Sequence, residues 1–163
     1  MRIFKEEQRF TQTWLIVIIV IKLIVTLAII LKEIDKLSAS EIIISIGTII
    51  LASGLIFLFK LSTRIDEKGI HYKFFPFHLK FKTVVWNDIE NAYIRTYDAI
   101  SEYGGWGVRG GALWYKAKGK AINISGNIGI QLKLKDGKKL LIGTNKKEQA
   151  QDVLSTYKTQ HHG

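Results

Sequence analysis

Residues 128–143 read IGIQLKLKDGKKLLIG, and this stretch decides how the second half of the chain is interpreted. From Ile130 to Leu134 apolar and polar residues alternate, which is the period of a half-buried β-strand. Asp136 and Gly137 follow, and this pair favours the two left-handed positions of a two-residue type I′ turn. The stretch therefore predicts a β-hairpin.

Short segments of the same kind continue upstream as far as residue 61. They are rich in β-branched and aromatic residues and are bounded by turn residues, as in antiparallel sheets. Pro76 interrupts the aromatic run FFPFH and marks an edge or a bend, because proline cannot donate to a strand ladder. The predicted strands lie in residues 61–75, on both sides of a turn at 67–69, and in residues 80–86, 89–97 and 120–125.

A helix is predicted after the hairpin. Asn145 is a suitable N-cap, and Glu148 stands where a capping-box partner would. The apolar residues that follow are spaced i, i+3, i+4 and i+7, so they form one stripe that must pack on an apolar surface; they are Ala150, Val153, Leu154 and Tyr157. The prediction for residues 61–158 is an all-β barrel of about seven antiparallel strands closed by this C-terminal α-helix, with 159–163 as a tail.

Two hydrophobic runs occupy most of the first sixty residues. The run from Trp14 to Leu31 is WLIVIIVIKLIVTLAIIL, with one charge, and the run from Ile42 to Phe59 is IIISIGTIILASGLIFLF, with none. Each is near the length that crosses a bilayer core as a helix. Residues 1–60 are therefore predicted to be an N-terminal flank and a transmembrane hairpin with helices at about 14–31 and 42–59. A cleaved signal peptide or a buried hydrophobic hairpin are the alternatives.

Basic residues in the short flanks set the predicted orientation, because they resist translocation. Arg2, Lys5 and Arg9 precede the first run, and more basic residues follow the second, whereas the connecting loop KEIDKLSASE is balanced by acidic ones. We therefore expect a multi-pass protein of the cell (inner) membrane with both termini cytoplasmic.

Lys22 lies near the middle of the first run, where a charge is costly. Its long side chain could extend to the inner interface. Alternatively it makes a polar contact inside the hairpin, because Lys22 and Thr26 share a helix face and Ser45 and Thr48 form a polar stripe at a compatible depth on the second helix.

A family resemblance rests on three stretches: RIDEKGIHYKFFPFHLKFKTVVWNDIENAYIRTY at 64–97, EYGGWGV at 102–108, and NISGNIGIQLKLKDGKKLLIGTNK at 123–146. The chain resembles bacterial membrane-anchored proteins with pleckstrin-homology-like (PH-like) domains, especially an uncharacterised group of small ones with two N-terminal transmembrane helices. The resemblance implies a PH-like fold and membrane attachment. It implies no catalytic residues.

Residues 101–116, SEYGGWGVRGGALWYK, contain the G-x-G-x-x-G pattern of nucleotide loops. A dinucleotide loop must open a helix and be followed by an acidic residue about twenty positions later, and neither is present in the sequence that follows. Glycines suit an irregular loop, and amphipathic residues between them favour a membrane interface or a partner surface. That predicted surface comprises Tyr103, Trp106, Arg109, Trp114 and Tyr115; the alternative is that the tryptophans fold back into the core.

Charge and composition limit the remaining function classes. The net charge is +10, there are no cysteines, and 18 Lys and Arg stand against 9 Asp and Glu from residue 60 onward. His71 and His78 have no carboxylate at metal spacing, so we expect neither a metal nor a cofactor. The prediction is a non-enzymatic protein whose basic domain binds anionic lipid head groups, a protein partner or itself, and a bilayer anchor argues against nucleic acid. The alternative is an accessory subunit that assembles through its hairpin with a larger transporter or enzyme.

Overall fold

The structure, a computed structural model, describes residues 2–110 and 119–161, with side chains described as far as residue 157. Contacts divide the chain into two units: residues 10–59, and residues 1–9 together with residues 60–163. The sequence placed residues 1–9 with the hairpin as a flank. The structure instead assigns them to the β unit, because they form a strand of its sheet.

Unit 10–59 is helical. Helix α1 spans Thr13–Lys32, a 3₁₀ turn covers Ile34–Lys36, and α2 spans Ala39–Leu55 with a 3₁₀ turn at Ile56–Leu58. Both helices are long and apolar enough to cross a membrane. A capping box starts α2: the side chain of Ser38 accepts from the Glu41 N–H, and the Glu41 carboxylate accepts from the Ser38 N–H.

The first sheet of the β unit has four antiparallel strands in the order β1-β2-β3-β4. Their bounds are Phe4–Arg9, Lys60–Asp66, Gly69–Phe75 and Lys82–Val85. The predicted turn at 67–69 and the strands on both sides of it are confirmed. Strand β1 was not predicted.

The second sheet has five strands in the order β5-β8-β9-β7-β6. Their bounds are Ile89–Thr96 for β5, Gly107–Arg109 for β6, Lys120–Asn123 for β7, Ile128–Leu134 for β8 and Lys139–Gly143 for β9. The pair β7–β9 is parallel, whereas the other pairs are antiparallel. A five-residue helix, α3, covers Ala99–Tyr103.

The described residues thus hold nine strands in two open sheets. The predicted closed barrel of about seven antiparallel strands is wrong in its closure, in the number of strands and in the parallel pair. The two additional strands, β1 and β6, come from segments that sequence patterns did not mark as strands. The parallel pair arises because β7 pairs with β9 rather than with β8, its neighbour in sequence.

The predicted C-terminal helix is confirmed as α4, Lys147–His161. Its apolar stripe is buried, and the indole of Trp86 stacks on the ring of Tyr157 with 5.5 Å between ring centroids. The helix contacts β1 and β2 of the first sheet and β5 and β8 of the second, and the buried apolar residues of these strands include Leu61, Ile65, Ile89, Ala92, Ile130 and Leu132.

Two local predictions need correction. The β8–β9 hairpin is confirmed, but only Gly137 adopts a left-handed φ, of 80°. Its N–H donates to the carbonyl of Leu134, and the N–H of Leu134 donates to the carbonyl of Lys138, as in a three-residue loop with a glycine bulge. Asn145 does not cap α4: its side chain bonds Ser125, and its N–H donates to Glu6.

Candidate functional site

The glycine-rich segment begins in the short helix α3 rather than in an irregular loop. The carboxylate of Asp98 accepts from the N–H groups of Ile100 and Ser101 and caps α3. Gly104, with φ of 74°, ends this helix in the left-handed conformation. Strand β6 lies inside the G-x-G-x-x-G pattern of Gly105, Gly107 and Gly110, whereas in a dinucleotide loop the pattern opens a helix.

Tyr103 is not a surface residue, contrary to the prediction. It is 2% exposed, and its ring meets the ring of Tyr97 edge-on with centroids 6.1 Å apart. Its hydroxyl accepts a hydrogen bond of 2.9 Å from Arg95, whose guanidinium also binds both oxygens of Glu102 at 3.1 and 2.8 Å. Burial raises the pKa of Tyr103 and raises that of Tyr97 to about 12. This cluster therefore holds α3 against β5 and is structural.

Trp106 is half-buried and packs against the cluster that contains Tyr97 and Tyr103. It lines one side of an open groove of about 460 Å³ beside Asp98 and Asn127. The alternative interpretation, that the tryptophan folds back onto the core, describes Trp106 better than the surface interpretation does.

Arg109 is exposed at the end of β6, and its Nε donates to the carbonyl of Trp106 at 3.0 Å. Of the five predicted surface residues, it alone is exposed within the part of the chain that the structure describes. Trp114 and Tyr115 lie outside the described residues.

Of the two interpretations of Lys22, the polar contact within the hairpin is not formed. The hydroxyl of Thr26 donates to the carbonyl of Lys22 in the same helix at 2.9 Å, and Lys22, Ser45 and Thr48 are exposed. The facing surfaces of the two helices are apolar instead. They line a cavity of about 240 Å³ whose walls are Leu23, Thr26, Leu27, Ile30, Ile46, Ile49 and Ile50.

Strand β1 carries the first of two polar groups that sequence reasoning missed. Glu6 is 5% exposed, and its carboxylate accepts from the Thr144 hydroxyl at 2.6 Å and from the Asn145 N–H at 2.8 Å. Gln8 is also buried and donates to the carbonyl of Gly143 at 2.9 Å. The strand is therefore fixed to the β9–α4 connection by polar contacts.

The second group surrounds Asp66 at the end of β2. Its carboxylate accepts from His71 at 2.9 Å and is 2.8 Å from the Nε of Arg64, and its backbone carbonyl accepts from Trp86 at 2.8 Å. Burial alone would raise the pKa of Asp66, but the hydrogen bonds from His71 and the Lys68 N–H hold the pKa below its ordinary value. The other ring nitrogen of His71 lies 2.8 Å from the Thr83 hydroxyl, which completes a polar bridge across β2, β3 and β4.

The two chain segments that lead to the helical unit leave the first sheet at one place. Arg9, the last residue of β1, is the cross-strand partner of Lys60, the first residue of β2. Lys60 is in turn the partner of Phe75, the last residue of β3. The amine of Lys60 binds the carboxylate of Glu7 at 2.8 Å. This end of the sheet, which we call the junction end, is thus defined by Arg9, Lys60 and Phe75.

No group of three or more His, Asp or Glu side chains is placed to hold a metal ion within the described ranges. Comparison of the chain with protein-family models, with curated proteins and with solved structures gave no match.

Proposed function

We propose that this chain is a non-enzymatic integral membrane protein. In this proposal the two-helix hairpin spans the cell membrane, both termini are cytoplasmic, and a basic PH-like β unit is held at the cytoplasmic surface. There it binds anionic lipid, a protein partner or a second copy of itself.

One observation carries the proposal: the apolar hairpin is inserted between two paired strands. Because Arg9 and Lys60 are cross-strand partners, a hairpin that crosses the bilayer twice returns the chain to the side from which it started. Both connections then start from the same end of one sheet. Helix faces that expose large apolar side chains over most of their length support the same arrangement, because lipid would cover them.

Charge supports an anionic partner. The excess of Lys and Arg lies from residue 60 onward, and the cytoplasmic leaflet carries a negative surface potential. A basic unit that is tied to the membrane at two points would be attracted to that surface.

A second candidate function is an accessory subunit that assembles through the hairpin with a larger transporter or enzyme. Lys22 favours it, because this lysine is exposed on α1 and is absent from the surface that faces α2. A charged residue there would suit a polar partner inside the membrane. Recovery of a stable partner by the hairpin alone would support this candidate, whereas recovery by the β unit would support the first.

Cysteine labelling tests the topology directly, because the chain has no cysteine. Two matched variants, Ser40→Cys in the first turn of α2 and Ser101→Cys in α3, replace exposed serines in the two units. We expect a membrane-impermeant maleimide to label Ser40→Cys in intact cells and Ser101→Cys only after lysis. Labelling of Ser101→Cys in intact cells, or release of the protein by alkaline extraction, would contradict the proposal.

A further inference from the structure

Among the described residues of the β unit, the connection between β3 and β4 is the segment that exposes the most large apolar side chains. We call residues 75–82, FPFHLKFK, the interface loop. Phe77 is 66% exposed, Leu79 76% and Phe81 49%. Single exposed apolar residues are ordinary, but a cluster of this kind marks a surface that binds something.

His78 holds the interface loop in shape. It is 9% exposed, its N–H donates to the carbonyl of Phe74 at 2.8 Å, and its Nδ1 accepts from the Phe74 N–H at 3.3 Å. Its ring also contacts the ring of Tyr72 edge-on. Burial, with a smaller contribution from nearby Lys82, lowers the pKa of His78, which favours the neutral ring that accepts from Phe74. With His78 turned inward, its neighbours Phe77 and Leu79 are left exposed.

The loop is basic as well as apolar. Lys73, Lys80 and Lys82 lie in or beside it, and no acidic residue occurs between Glu67 and Asp88. The amine of Lys73 is 5.2 Å from the centre of the Phe81 ring, within the range of a cation–π contact. Aromatic side chains flanked by lysines are the composition of segments that lie at the surface of anionic membranes.

The position of the loop in the sheet also favours an anionic membrane as its ligand. Strand β3 remains paired with β2 as far as Phe75, which faces Lys60, whereas β4 begins only at Lys82, opposite Tyr72. The interface loop therefore lies at the junction end of the first sheet. Three residues separate Arg9 from α1, and one residue separates the Ile56–Leu58 turn from Lys60. The junction end is therefore the end of the sheet that two short connections join to the helical unit.

We infer that the interface loop is a third membrane contact. Phe77, Leu79 and Phe81 enter the boundary between head groups and acyl chains of an anionic bilayer, and Lys80 and Lys82 bind lipid phosphates around them. This inference rests on the proposed function, because it requires the hairpin to span the membrane. It adds the ligand, anionic lipid, and the surface that binds it.

The ligand that we commit to is the bilayer rather than a protein. A protein partner could cover apolar residues, but it would not account for the position of the loop at the end of the sheet that is tied to two membrane helices. The absence of acidic residues from this segment also matches the charge of the membrane surface.

The test uses the full chain reconstituted in liposomes, with a single cysteine carrying an environment-sensitive fluorophore. The probe replaces Phe77 or Leu79. The matched control is Lys68→Cys, an exposed residue of the β2–β3 turn, at the opposite end of the same sheet. Quenching by lipids with a spin label on the upper acyl chain reports depth, since this boundary lies about 5–10 Å below the surface.

We expect quenching at positions 77 and 79 to be about threefold stronger than at 68 and to increase with the anionic lipid content. The charge reversals Lys80→Glu and Lys82→Glu, made together, should remove that dependence on anionic lipid. Equal quenching at 77, 79 and 68 in a protein that still resists alkaline extraction would overturn the inference and leave the anchor intact. Cross-linking of two copies through Phe77→Cys with no quenching would also overturn it, in favour of a protein interface. Release by alkaline extraction would overturn the anchor itself.

Discussion

Replacing Glu6 by alanine is the sharpest test of the β unit, because this buried carboxylate joins the N-terminal strand to the β9–α4 connection. The substitution removes two hydrogen bonds to a charged acceptor, from the Thr144 hydroxyl and the Asn145 N–H. Thr144 is 1% exposed, so its hydroxyl would lose a partner where water does not readily replace it. The Thr144 oxygen also accepts from the Lys146 N–H at 3.1 Å, and the substitution therefore disturbs the start of α4.

The expected loss in the free energy of unfolding follows from these contacts. A hydrogen bond to a charged group contributes about 1.5–3 kcal/mol, and a buried donor without a partner costs about 1–3 kcal/mol. We expect Glu6→Ala to lower the free energy of unfolding of the β unit by about 3–5 kcal/mol. With a urea dependence of about 2 kcal/mol per molar, the unfolding midpoint should fall by roughly 2 M. Glu6→Gln keeps an acceptor for Asn145 and should lose about 1–2 kcal/mol.

Pulse proteolysis of the detergent-solubilised full chain across a urea series gives the midpoint. The control is Glu7→Ala, the next residue on the opposite face of β1, whose carboxylate forms an exposed ion pair with Lys60. An exposed pair of this kind contributes about 0–1 kcal/mol, so the control midpoint should move by less than about 0.5 M. If Glu6→Ala and Glu7→Ala had the same midpoint, the assignment of β1 to the fold of the β unit would be wrong.

Three further predictions use the same assay or a simpler one. Replacing residues 10–59 by Asn-Gly should give a folded, soluble β unit, because Arg9 and Lys60 are cross-strand partners that a two-residue turn can connect. A variant that is expressed as well as the full chain but elutes as an aggregate in gel filtration would contradict this. Folding lowers the pKa of His78, so the unfolded chain binds the proton more readily, and the urea midpoint of the wild type should fall as the pH drops below about 6.5. The midpoint of His78→Gln, whose side chain does not titrate, should fall less over the same pH interval. Asp66→Ala should cost about 2–3 kcal/mol, since it removes the acceptor for His71 and for a backbone N–H; a midpoint shift no larger than that of the exposed-turn variant Asp136→Ala would argue against the polar bridge.

Elements with a regular apolar period were predictable from the sequence. The alternation from Ile130 to Leu134 specified β8, and the stripe from Ala150 to Tyr157 specified the buried face of α4. The two long apolar runs gave α1 and α2 within a few residues of their bounds. In each case the signal is local, because the residues that identify the element all lie within it.

Strand β1 escaped prediction because its buried residues are not all apolar. Phe4, Glu6 and Gln8 face inward, and two of these residues are polar. The side-chain hydrogen-bond partners of Glu6 and Gln8 lie more than 130 positions away in the chain, so no local pattern indicates that a glutamate at this position is buried.

The glycine-rich segment was misinterpreted for a related reason. A five-residue helix is too short for a hydrophobic period, and Tyr103 becomes buried through contacts with Arg95 and Tyr97 rather than through its neighbours in sequence. The exposure of the interface loop was not predicted either: Pro76 was interpreted as an edge or a bend and residues 80–82 as the start of a strand. Exposure depends on which residue of the loop, here His78, turns inward.

The division of one sheet by the hairpin imposes an order on biogenesis. Strand β1 leaves the ribosome before α1 and α2, yet its ladder partner begins only at Lys60, and the groups that bind Glu6 arrive at residues 144 and 145. The first strand therefore stays unpaired until β2 has been synthesised, and Glu6 lacks its side-chain partners until synthesis is nearly complete. Its sequence, FKEEQR, suits that delay, because a short charged strand is a poor template for aggregation. The carboxylate of Glu6 thus stabilises the folded β unit and also helps to keep the unpaired strand soluble.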